Sequence, residues 1–194
     1  MNRFFTDKEI LDRVRSLPSF NPVVGFPTGI LEVGVRSKAD LFDQFDDKFF
    51  TYDCSDRNNP VFLMARKGTT NSGSYGLKKF HEYNHLGCAV LKSDQIVYDS
   101  HVFGKFRNKD AYRQNKGFPY YRDNNRNNRA EEIGPVYNDI IGAHLHRAGV
   151  DSTVINNWST ACMVTAKEAD FKKWLKYLAD RGNPPVSLCI LKEF

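Results

Sequence analysis

A chain of 194 residues with 41% hydrophobic side chains can bury one ordinary core, and its length suits a single domain spanning residues 1–194. Its formal charge of +5 and pI near 9.0 favour anionic partners in general, but no lysine/arginine block stands out, so a dedicated nucleic-acid binder is not expected. No apolar run is long enough for a membrane span, and "MNRFFTDKEI" lacks the apolar stretch of a signal peptide, so a soluble cytoplasmic product with free thiols is expected.

In chain order, Thr6 and Glu9 form a capping box, and Ile10, Leu11 and Val14 follow at helical spacing, predicting a helix over residues 7–16 that Pro18 and Pro22 terminate. Ile30, Leu31, Val33 and Val35 read as a strand, as do "FFTYD" at 49–53 and "VFLMAR" at 61–66. "CAVLKSDQIVYDSHVF" reads as two strands turning at Ser93 and Asp94, "RDNNRNNRAEE" as a loop, and "IIGAHLHRA" as a short apolar strand. Thr165 and Glu168 form a second capping box. Phe171, Trp174, Leu175 and Leu178 then recur at i, i+3, i+4 and i+7, with Gly182 at the C-cap and "VSLCILKEF" as a closing strand. Many strands with a helix near each end, and neither repeat nor linker, give a mainly β or α+β fold.

The segment "HLHRAGVDSTVINNWSTACMV" at 144–164 carries the candidate chemistry. A cysteine thiolate is a strong nucleophile, and a nearby histidine can generate it near neutral pH. A strand, a loop over 149–157 and a return strand would bring Cys162 and His146 within reach, with Ser159 and Thr160 shaping the turn whose N–H groups hold an oxyanion. A buried core cysteine is the plainer reading of the same residue. None of Cys54, Cys88, Cys162 and Cys189 forms a C-x-x-C pair.

These residues resemble the L,D-transpeptidase (YkuD-type) family, whose motif places a cysteine sixteen residues and a serine thirteen residues after a histidine. His146, Ser159 and Cys162 reproduce that spacing, and Thr70, Gly73 and Tyr75 in "TTNSGSYGL" fit the Thr-x-x-Gly-x-Tyr/Phe segment that precedes it. The resemblance covers about residues 69–164. It implies a β-rich fold and cysteine-dependent acyl transfer or hydrolysis on peptidoglycan stem peptides, without a cofactor. Cys162 is then the nucleophile and His146 the base, with Ser159 and His144 beside them and Arg147, Tyr75 and Thr160 toward the substrate. It also implies an imidazolium-stabilised thiolate with a lowered pKa. Action at the cell wall would require a non-classical route of export. Three positions depart from the family pattern: Ala161 replaces its glycine, Val164 its arginine and Arg147 its Gly or Ser. They raise the alternative of a catalytically inactive module that binds cell-wall glycopeptide, unless Arg147 or the basic stretch 105–129 supplies the missing charge. The oligomeric state stays open.

Two weaker patterns point to metals. Asp123, Asn125 and Asn127 begin a calcium-loop rhythm, but Gly134 stands where the closing glutamate belongs and Arg126 and Arg129 add repulsion, so a solvated loop is expected. "HEYNH" at 81–85 satisfies the zinc-protease string, but Gly87 follows at once and a continuous helix through both histidines is not expected.

Overall fold

The computed structural model describes residues 4–150 and 152–194. Met1–Arg3, within the stretch read for a signal peptide, and Asp151, in the loop ahead of Cys162, lie outside the described residues. The elements run α1 (Asp7–Arg15), β1 (Ile30–Arg36), β2 (Asp47–Asp53), β3 (Val61–Thr69), α2 (Ser74–Lys79), β4 (Cys88–Leu91), β5 (Gln95–Phe106), β6 (Lys109–Gln114), β7 (Phe118–Asp123), β8 (Tyr137–Asp139), β9 (Leu145–Arg147), β10 (Met163–Thr165), α3 (Glu168–Ala179) and β11 (Val186–Lys192). This is the β-rich α+β architecture expected from the patterning.

Eight strands close into a barrel in the order β1-β11-β5-β6-β9-β10-β3-β2, and β4, β7 and β8 form a separate three-stranded sheet. β1 is buried on both faces, because Leu31, Val33 and Val35 pack under α1 while Ile30 joins the barrel interior. The α1 capping box is formed as expected: Thr6 Oγ1 accepts the Glu9 N–H, and the Glu9 carboxylate accepts the Thr6 N–H. Ile10, Leu11 and Val14 are the buried stripe of that helix.

The second capping box does not form. Helix α3 begins after Lys167 with no side-chain cap, while Thr165 lies in β10 and accepts from Arg66 Nε at 3.3 Å. Gly182 adopts φ +75° but falls two residues beyond the C-cap, Asp180, so the chain tightens before it turns away. The apolar stripe holds: Phe171, Trp174 and Leu178 pack into the barrel's interior cluster. That interior contains a buried ion pair, Arg66 Nη2 to Glu32 Oε1 at 2.7 Å, with Thr51 Oγ1 and Trp174 Nε1 donating to the same glutamate. Removing one member of such a buried pair costs about 3–5 kcal/mol, because its partner is left uncompensated.

The chain turns after β4 as expected, with Asp94 at φ 52°, but β4 and β5 do not pair. β4 pairs with β7, so the turn carries the chain from the small sheet into the barrel. The segment 140–148 yields only the three-residue β9, which joins β6 through a single pair, Tyr112 with Leu145. No helix among the described residues is long and apolar enough to cross a membrane.

Candidate active site

Strands β9 and β10 are parallel neighbours, in the register Met163 with Leu145 and Val164 with His146. The strand–loop–return geometry expected between His146 and Cys162 is therefore replaced by a parallel crossover. Extending the register by one residue sets Cys162 beside His144, and the His144 N–H donates to Cys162 Sγ at 3.4 Å. The thiol donates in turn to the Gly142 carbonyl, also at 3.4 Å.

Cys162 and His146 nevertheless open onto one cavity of about 700 Å³. Its walls are aromatic (Tyr75, Phe80, Tyr83, Phe106 and Trp158), its cations are Arg107, Lys109 and Arg147, and Asp110 is the one acid that lines it among the described residues. Thr160 and Tyr75, expected near a substrate, both line it, as does Arg147. His144 and Ser159 do not.

The two histidines differ in tautomer, and their partners decide how. His146 Nδ1 lies 2.8 Å from the Arg147 carbonyl oxygen, an acceptor only, so Nδ1 carries the proton. Its Nε2 is then a lone pair, buried and without a hydrogen-bond partner. His144 Nδ1 instead accepts the Gln114 N–H at 3.1 Å, so neutral His144 carries its proton on Nε2. His146 can accept a proton at its free nitrogen, whereas His144 cannot without losing the Gln114 bond. Phe106 separates the two rings, its centroid 5.0 Å from each.

The electrostatics run opposite to the expected ion pair. Burial pushes the Cys162 thiol up to about 11, against the smaller lowering effects of the His144 N–H and the Arg107 charge. Burial pushes His146 down to about 4, outweighing its bond to Arg147. The resting pair is neutral thiol and neutral imidazole.

Ser159 is fully buried and donates from Oγ to the Cys162 carbonyl at 2.7 Å, so it holds the turn rather than facing the cavity. The N–H groups of Thr160, Ala161 and Cys162 find no acceptor among the described residues, so the turn that carries the sulfur holds three unpaired backbone donors. Ala161 has negative φ, so its methyl carries no left-handed backbone penalty in place of the family's glycine. Val164 is fully buried in one cluster with Phe45, Ile155, Cys162 and Ala166 and does not line the cavity.

The "TTNSGSYGL" segment packs against this turn. Gly73 N–H donates to the Ser159 carbonyl at 3.0 Å, and Thr70 is tied through its N–H and hydroxyl to the buried Asp47 at 2.6 and 2.7 Å. Asp43, which the sequence did not single out, joins the two loops: its Oδ1 accepts the N–H groups of Ser74 (2.7 Å) and Asn156 (2.6 Å). Arg107 and Lys109 were legible only as part of a basic stretch. They flank the turn between β5 and β6, where Arg107 and Asn108 both adopt positive φ.

Neither metal pattern assembles. Asp123, Asn125 and Asn127 spend side-chain oxygens on the N–H groups of Asn125, Asn127 and Arg129, a chain of Asx turns, and the left-handed residue is Arg126 rather than Asn128. The 3-10 turn Phe80–Glu82 ends before His85, so His81 and His85 do not share a helix. Among the described residues no group of three His, Cys, Asp or Glu side chains converges on a metal position. Comparison with protein-family models, curated proteins and solved structures gives no match.

Proposed function

We propose that the chain is a cysteine acyltransferase or hydrolase acting on amide bonds of peptidoglycan stem peptides, in the manner of the L,D-transpeptidases it resembles. The observation that carries this reading is that His146, whose Nε2 is a buried lone pair without a hydrogen-bond partner among the described residues, lines the same cavity as Cys162. A structural histidine would be expected to satisfy that nitrogen.

In this reading Cys162 Sγ attacks the amide carbon while His146 Nε2 takes the thiol proton. The carbonyl oxygen gains negative charge and is held by the N–H groups of residues 160–162. Collapse breaks the C–N bond, the imidazolium returns its proton to the leaving amine, and a thioester remains. An incoming amine or water attacks the thioester and gives its proton to His146, the C–S bond breaks, and the departing thiolate takes that proton back from the imidazolium to restore the neutral pair. Because both resting groups are neutral, proton transfer accompanies attack rather than preceding it. Arg107 and Lys109 at the rim suit a substrate with free carboxylates, the charge that Val164 cannot provide.

One observation favours a second reading, a binding module of the same cavity without turnover: the Cys162 thiol is satisfied by Gly142 and held neutral. Digestion of purified peptidoglycan with mass analysis of the products, beside Cys162→Ala, separates the two. New stem-peptide products lost in the variant support the enzyme; binding of muropeptides with no product in either protein supports the module.

A further inference from the structure

The bonds that hold Cys162 Sγ come from the backbone of Gly142 and His144, and the peptide between them is itself gripped from two adjacent strands. On β5, His101 Nε2 donates to the Ala143 carbonyl at 2.8 Å. On β6, Gln114 Oε1 accepts the N–H groups of Ala143 (2.9 Å) and Ile141 (3.0 Å). His101 and Gln114 are direct cross-strand partners, so one rung of the barrel holds both polar groups of Ala143. Gln114 is further fixed through Nε2 to the carbonyls of Lys116 and Asp139, each at 3.0 Å, and its own N–H sets the His144 tautomer. Both residues are buried, and neither lines the cavity.

We infer that His101 and Gln114 are positioning residues for the nucleophile: they fix the Gly142–His144 segment so that the His144 N–H points at the Cys162 sulfur. That N–H is the main group favouring the thiolate against burial, and Arg107 adds to it. A rigid core alone would not need such a rung, since a strand at this place would pair its own backbone. Here, among the described residues between β8 and β9, the backbone is bonded to a neighbouring strand's backbone at the His144 carbonyl, by the Met163 N–H at 3.0 Å, and two side chains bond the backbone of Ile141 and Ala143.

The inference rests on Cys162 being the nucleophile, but its test reads the thiol directly and needs no turnover. The measurement is the rate of iodoacetamide labelling at each cysteine at pH 8, in the native protein. Gln114→Asn, one methylene shorter, and His101→Leu lose the grip. His101→Gln keeps an N–H donor. Removing the N–H···S bond should slow labelling of Cys162 by about three- to tenfold, as a hydrogen bond to the charged form is withdrawn. Labelling of buried Cys54, Cys88 and Cys189 should not change, and His101→Gln should stay near wild type. Loosening of the fold has the opposite sign, because opening exposes thiols and speeds labelling at all four. An unchanged or faster rate at Cys162 in folded Gln114→Asn would overturn the inference. Should His101→Leu not fold, Gln114→Asn and His101→Gln still decide it.

Discussion

The ring of His146 is tied to the main chain of Arg147, with Nδ1 2.8 Å from the carbonyl oxygen, and this bond selects the tautomer that leaves Nε2 a buried, unpartnered lone pair. His144, nearer to the Cys162 sulfur through its backbone, has its ring committed to Gln114. Turnover and thiol labelling should therefore separate. Cys162→Ala should abolish stem-peptide cleavage. His146→Ala should lower it by about 10²- to 10⁴-fold, the usual contribution of a general base, and His144→Ala should lower it less. Labelling of wild-type Cys162 should climb with pH from 7 toward 9, since the thiol is pushed up to about 11, and should change little in His146→Ala. Fast labelling below pH 7 that disappears in His146→Ala would show a resting ion pair and refute the neutral-pair mechanism.

Arg107 and Arg147 both reach the cavity, but they are not equivalent. Arg147 is engaged by Glu168 at 3.1 Å and by the Ala148 carbonyl at 2.8 Å. Arg107 stacks on Phe106 at 5.4 Å and has no ion pair among the described residues. Arg107→Gln should raise KM about tenfold or more for peptides with a free carboxylate, in line with loss of one charge-assisted hydrogen bond. Their C-terminal amides should be little affected. Equal losses for acid and amide would remove Arg107 from substrate recognition.

Gly73 packs the "TTNSGSYGL" segment directly against the loop before Cys162. A methyl group there would overlap the Asn156 carbonyl oxygen and come within 2.6 Å of Ile155 Cγ2 and 2.8 Å of Asn156 N. The nearest obstacles are backbone, so they cannot rotate away. Gly73→Ala should cost about 1–3 kcal/mol in urea unfolding and should also change labelling of Cys162, because Gly73 N–H is bonded to Ser159. Unaltered stability would mean the two loops are not packed as described.

The periodic parts of the chain were legible from sequence. Helices α1 and α3 and strands β1, β3 and β11 follow apolar spacing, which local burial imposes on the residues that make it. Of the three residues that the spacing singled out, His146 and Cys162 line one cavity, while Ser159 bonds the Cys162 carbonyl and lies outside the cavity wall. Pairing was not legible. Nothing in "CAVLKSDQIVYDS" distinguishes a hairpin from a turn between two sheets, because both need the same alternation and the same left-handed Asp94. The charge state of the pair was misjudged for a related reason: burial of His146 and Cys162 is set by Phe106, Trp158 and the loops around them, which converge only in three dimensions. Gln114 and His101 carried no motif, since their task is to bond one remote peptide.

The last expectation concerns acid. His101 and His146 are buried and neutral, each pushed from an ordinary value near 6.5 down to about 4, chiefly by burial. Between those values the unfolded chain takes up protons that the folded protein refuses, so stability is full above pH 6.5 and falls as pH drops toward 4. The shifts correspond to about 3 kcal/mol for each histidine. Asp47 acts in the other direction. Burial raises it to about 6 despite the N–H groups of Ser37 and Thr70, so between its ordinary 3.8 and 6 the folded state holds a proton that the unfolded state releases. Its contribution is greatest below 3.8 and is lost as pH rises to 6, by about 3 kcal/mol. Glu32 and Asp40, also raised by burial, act with Asp47, and His144, lowered by burial, acts with the two histidines, so the wild-type change between pH 7 and pH 4.5 is the sum of opposing contributions. Urea unfolding at the two pH values measures it. His101→Gln should make stability fall less on acidification than in the wild type, and Asp47→Asn should make it fall more by removing one of the opposing groups. A His101→Gln variant with the same pH dependence as the wild type would mean that His101 is not held neutral in the folded protein.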